Sequence, residues 1–119
     1  MTEQKPTGLP RIMKAFGYSW AGIKSAWESE AAFRQECFVL AVLLPLTFFI
    51  GQTDIDRVVL ISSLMIVILT ELLNSAIEAV VDRVGLDYHP MAERAKDMGS
   101  AAVFVSIAMV IIIWAVILI

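Results

Sequence analysis

One cysteine, one histidine, four prolines and six glycines are all that 119 residues contain of those types. Cys37 has no second cysteine with which to close an intrachain disulfide, and at the start of an apolar run it reads as an inert buried thiol. His89, standing alone, reads as a surface or capping residue rather than a ligand. Neither G-x-x-x-x-G-K-[ST] nor G-x-G-x-x-G occurs, so no familiar phosphate-cradling loop is present. The first residues lack an apolar core followed by a small-residue cleavage site, and no secretory signal is expected. Internal repeats and low-complexity linkers are absent as well. Charge is sparse: Asp, Glu, Lys and Arg make up 18% of the chain, and the runs 58–70 and 101–119 hold none. The net charge of -3 matters less than where the charges stand.

Apolar residues dominate instead. A hydrophobic content of 59% and a mean hydropathy of +0.79 exceed those of an ordinary soluble domain and leave no room for a separate catalytic domain. One all-α integral-membrane domain over 1–119 is expected. After a polar start, a surface helix over about 8–28 carries Leu9, Ile12, Met13, Phe16, Trp20, Ile23 and Trp27 on one face, with Arg11, Lys14, Tyr18 and Ser25 opposite. That is the pattern of a basic amphipathic helix lying in a membrane interface. Spans follow at about 31–50, 57–84 and 98–119, each long enough for a hydrocarbon core of ~30 Å. Arg34, Gln35 and Glu36 in the first span's opening turns should sit near the headgroups or face the bundle. Pro45 is expected to kink that span, Gly85 to end the second, and Pro90 to open the last helix. Arg11, Lys14, Lys24 and Arg34 precede the first span, and Arg83, Arg94 and Lys96 lie between the second and third; only Arg57 occupies the first turn. The positive-inside rule then puts the N-terminus and the second connection in the cytoplasm and the C-terminus on the far side.

The second span runs into an acidic stripe. Glu71, Asn74, Ser75, Glu78 and Asp82 fall at i, i+3, i+4, i+7 and i+11, which gathers them on one helical side about 100° wide. Carboxylates so aligned inside a bilayer are costly unless they face protein, water or a cation, and they are functional candidates for that reason. Polar helix-packing is the plainer alternative. Counted from Val58, Glu71 lies about 20 Å into the membrane, and Glu78 about 10 Å further along the axis, near the cytoplasmic edge. One acid is thus level with lipid glycerol and the other within reach of a soluble anion, a geometry suited to joining the two. Glu78, with Glu30 near the same interface, offers oxygen ligands to a hard cation such as Mg²⁺, while Lys96 and Arg11 are candidates for phosphate oxygens. Solvated or snorkelling charges are the alternative for Lys96 and Arg11.

The stripe Glu71-Leu-Leu-Asn-Ser-Ala-Ile-Glu-Ala-Val-Val-Asp82 resembles the signature of the small prokaryotic integral-membrane diacylglycerol kinases, Gram-negative type. The likeness extends to Arg11-Ile12-x-Lys14-Ala15, Tyr18-Ser19-Trp20, Glu30-Ala-Ala-Phe-Arg-Gln-Glu36 and Ala95-Lys-Asp-Met-Gly-Ser-Ala-Ala102, and so covers nearly the whole chain. It implies a homotrimer of three-span subunits in the bacterial inner membrane, with active sites shared between neighbours and a periplasmic C-terminus. It implies transfer of the γ-phosphoryl of MgATP to diacylglycerol, giving phosphatidate. By the same resemblance Glu71 is the general base, and Glu30 and Glu78 hold the metal. Arg11, Tyr18, Glu30, Glu78, Asp87, Tyr88, His89, Lys96 and Asp97 surround the nucleotide. Arg11, Trp20, Lys24, Trp27, Ala32, Phe33, Glu36, Glu71 and Ser100 meet the lipid, and Asn74 supports the base. Two stretches depart from the pattern: 37–53 shares little beyond apolarity, and Leu86-Asp-Tyr-His-Pro-Met91 keeps Tyr-His but varies around it. Undecaprenol is the rival lipid, since the same acids serve either alcohol. A small proton-coupled transporter, the rival of another class, would not need Glu30, Glu78 and Lys96 gathered on one side.

Overall fold

A computed structural model describes residues 4–119 and is all-helical. Four helices follow one another: α1 (Leu9–Ser29), α2 (Ala31–Ile50), α3 (Asp54–Val84) and α4 (Pro90–Leu118). The last three are long and apolar enough to cross a membrane. At 1.5 Å per residue α3 and α4, of 31 and 29 residues, are about 46 and 44 Å long, roughly half more than a hydrocarbon core, so both carry a polar end beyond it.

Local chemistry sets the helix ends. Thr53 and Asp56 form a reciprocal capping box, with the Thr53 hydroxyl accepting from the Asp56 N–H at 3.1 Å. That box starts α3 at Asp54, ahead of the uncharged run. Gly85 follows its last residue. His89 caps α4, its Nδ1 accepting from the Met91 N–H at 3.1 Å, and Pro90 supplies the first turn, where a missing N–H costs nothing. The polar first turns of α4 are therefore helix, continuous with the apolar run from Met98 onward. Pro45 lies inside α2, whose helical hydrogen bonding continues on either side of it.

A single residue in extended backbone, Glu30, separates α1 from α2 and caps both. The corner is closed from α2: Arg34 Nη1 donates to the Trp27 carbonyl at 2.6 Å and the Glu28 carbonyl at 3.3 Å, satisfying acceptors that the end of α1 leaves open. Trp27 also meets Phe38 with ring centroids 5.9 Å apart. Of the first span's early polar residues, Arg34 thus serves the neighbouring helix.

α3 packs along α4 and, less extensively, against α2, while α1 touches the bundle lightly. The apolar core is Leu60, Leu64 and Trp114, with Leu40, Leu43, Leu44, Val110 and Ile113 around it. Ser63, Thr47 and Ser106 are buried too, each hydroxyl donating to a carbonyl one turn back in its own helix. Outward of this core, Phe38, Phe49, Leu69, Phe104 and Ile111 stand exposed on the isolated chain, as side chains meant for lipid or for other copies do. Cys37 is only half-buried in the single chain, although it shares a stripe of α2 with Phe33, Leu40 and Leu44.

Candidate active site

Glu71 is the centre. It sits on α3 where the helix is covered by its neighbours and is only 5% exposed. Glu36 of α2 faces it at hydrogen-bonding range, and the charges of Glu78 and Glu30 also bear on it. Carboxyl groups from α2, α3 and the α1–α2 corner therefore share one neighbourhood without converging on a single point. Such a cluster repels itself unless protons or a cation intervene.

One turn along α3, Asn74 is 9% exposed and donates from Nδ2 to Glu78 Oε1 at 3.5 Å. Its Oδ1, the Ser75 hydroxyl and Glu36 Oε2 are buried with no hydrogen-bonding partner. Gly99 of α4 abuts Asn74: a β-carbon there would collide with Asn74 Oδ1 and come within 3.3 Å of its Cγ.

Two clefts flank the cluster. One, of about 510 Å³, opens between α1 and α3 and is bordered by Ser25, Ser29, Glu30 and Ser75. The other, of about 330 Å³, lies where α3 ends and α4 begins, and Asp82, Asp87, Tyr88, His89, Lys96 and Asp97 border it. Lys96 Nζ is 2.6 Å from Asp82 Oδ1 there, both side chains half-exposed. The Tyr88 hydroxyl donates to Glu93 Oε2 at 2.7 Å, and this bond holds the phenol above its usual pKa. The second cleft thus gathers five of the residues singled out for a nucleotide.

Other expected site residues stand apart. Arg11, Tyr18, Trp20 and Lys24 are exposed on α1 and border neither cleft. Ala32 and Ser100 are exposed, whereas Phe33 is buried at 3% and turned into the bundle. The approach of Glu36 to Glu71, the Asp82–Lys96 pair and the seat of Asn74 on Gly99 escaped sequence reasoning. Asp82 lies on the stripe, but nothing in the spacing names its partner.

The donor set can be tested against Mg²⁺. Among the described residues no three Asp, Glu, His or Cys side chains converge into a ready-made cage. Two carboxylates, Glu30 and Glu78, with the unpartnered Ser75 hydroxyl bordering the same cleft as Glu30, suit an ion that fills its remaining positions with water and substrate phosphates. The residues present fit.

A model of the family described as prokaryotic diacylglycerol kinase matches residues 17–118. The chain belongs to that family. Among its relatives is a diacylglycerol kinase of Escherichia coli K12, 52% identical over 112 residues, 94% of this chain and 92% of that protein. A diacylglycerol kinase of Haemophilus influenzae is 50% identical over 92% of this chain and 93% of its own length. One from Pseudomonas aeruginosa is 48% identical over 94% and 91% respectively. The matched region takes in the acidic cluster, both clefts and all three apolar helices.

Proposed function

We propose that the protein is a lipid kinase of the bacterial inner membrane, moving the γ-phosphoryl of MgATP to the hydroxyl of 1,2-diacylglycerol. The observation that carries this reading is Glu71, a carboxylate 5% exposed in an apolar helix, with Glu36 beside it and the charges of Glu78 and Glu30 acting on it. Relatives 50% and 52% identical to the chain, both diacylglycerol kinases, support the choice of substrate.

In this mechanism the Glu71 carboxylate takes the proton of the lipid hydroxyl as that oxygen bonds to the γ-phosphorus. The bond from the γ-phosphorus to the bridging oxygen breaks, leaving phosphatidate and ADP. A base so positioned supplies about 10²- to 10⁴-fold. Alignment and charge neutralisation supply most of the rest. Glu30 and Glu78 would hold Mg²⁺, which would offset phosphate charge. Lys96 and Arg11 contact phosphate oxygens, while Tyr18, Asp87, Tyr88, His89 and Asp97 border the nucleotide. Asn74 steadies the cluster.

Arg11, Trp20, Lys24, Trp27, Ala32, Glu36 and Ser100 receive the lipid, while Phe33, turned into the bundle, backs that surface from within. α1 lies in the interface on the cytoplasmic side, with the second connection, and the C-terminus is periplasmic; the distribution of basic residues supports this orientation. Three copies assemble and share sites. Two features support assembly: extensive apolar exposure on α2–α4, and the position of Arg11 and Tyr18 outside either cleft of their own chain.

The test is direct. Purified protein in lipid, given radiolabelled ATP, Mg²⁺ and dioleoylglycerol, forms labelled phosphatidate. Flux of protons without ATP, or labelling of undecaprenol in preference to dioleoylglycerol, would overturn the assignment.

A further inference from the structure

Gly99 is the one buried glycine of α4, and what it touches is unusual. The carboxamide oxygen of Asn74 occupies the space that any other residue would fill with its β-carbon. That oxygen is buried and accepts no hydrogen bond. A buried acceptor without a partner is costly, so something else must fix the amide this way round. Reversing it would turn the oxygen toward the Glu78 carboxylate, where like partial charges repel. Parking the oxygen against bare Gly99 leaves Nδ2 directed at Glu78 Oε1, 3.5 Å away. Ile77 Cδ1, 3.8 Å from the β-carbon position, closes the other side.

We infer that Gly99 is a positioning residue for the phosphoryl-transfer site. It acts through Asn74 by leaving room for the carboxamide to hold Glu78 in its cation-binding pose. The inference rests on the reading of Glu78 as a metal-holding carboxylate. Outer hydrogen bonds to a ligating carboxylate orient it, and their loss costs about 10- to 100-fold in metal affinity. A methyl group at position 99 pushes the carboxamide off its seat, and the bond to Glu78 goes with it. α4 thereby contributes to the site without presenting any ligand of its own.

The test is Mn²⁺ binding, followed by electron paramagnetic resonance on the full chain in lipid with a non-hydrolysable ATP analogue. Gly99→Ala is expected to weaken Mn²⁺ binding about tenfold. Asn74→Ala is expected to do the same, and the double variant to be no weaker than Asn74→Ala alone, because the two residues act in series. Trp114→Phe, which disturbs packing between the same two helices far from the cluster, is expected to lower the melting temperature and leave Mn²⁺ affinity unmoved. If Gly99→Ala does not fold, Asn74→Ala and the double variant carry the test, since trimming Asn74 makes space for the methyl. Normal Mn²⁺ affinity in Gly99→Ala, or additive losses in the double variant, would overturn the inference while leaving Glu78 as a ligand. Absence of Mn²⁺ binding in the wild type would sink the metal assignment and this inference together.

Discussion

Trp114 Nε1 of α4 donates to Ser63 Oγ of α3 at 3.2 Å, in the most deeply covered part of the bundle. Ser63 passes the interaction on, donating to the Leu60 carbonyl at 2.6 Å. The indole therefore has its one polar atom satisfied while its ring fills the space beside Leu60 and Leu64. Ser63→Ala strands that N–H and is expected to lower stability by about 1 kcal/mol, as interhelical bonds in membranes typically do. Thermal unfolding in detergent checks this. Phosphoryl transfer measured well below the transition should be unchanged, since the pair lies outside the acidic cluster.

Glu71→Gln keeps the volume of the side chain and removes its basicity. Turnover is expected to fall about 10²- to 10⁴-fold while the oligomer survives. Phosphatidate formation close to the wild-type rate, with normal size on gel filtration, would take Glu71 out of the base role.

For Glu78→Gln the expected change is in the metal. The Mg²⁺ concentration for half-maximal rate should rise at least about tenfold, or activity should vanish. An unaltered Mg²⁺ titration would mean that Glu78 does not hold the ion.

Lys96 and Asp82 separate binding from pairing. Lys96→Met removes both the 2.6 Å ion pair and the proposed phosphate contact, whereas Asp82→Asn removes only the pair. The KM for ATP is expected to rise about tenfold in the first variant, as the loss of a charge-assisted bond would require. In the second it should move about threefold or less, because a half-exposed ion pair contributes little. Equal effects would make Lys96 a structural partner of Asp82 and no more.

Periodicity along one helix needs no tertiary information, which is why the sequence alone determined the stripe from Glu71 to Asp82, the uncharged runs and the amphipathic pattern of α1. Capping is equally local: His89 before Pro90 announces the start of α4, and the structure puts His89 at that cap. Relations between helices are another matter. The meeting of Glu36 with Glu71, the reach of Arg34 back to Trp27 and the seat of Asn74 on Gly99 depend on how far each helix is rotated and shifted against the next. Rotation and shift come from packing many side chains at once, such as Leu60, Leu64 and Trp114. Spacing within one helix carries no record of them, so only the assembled bundle decided which acids face one another and which glycine leaves space for an amide.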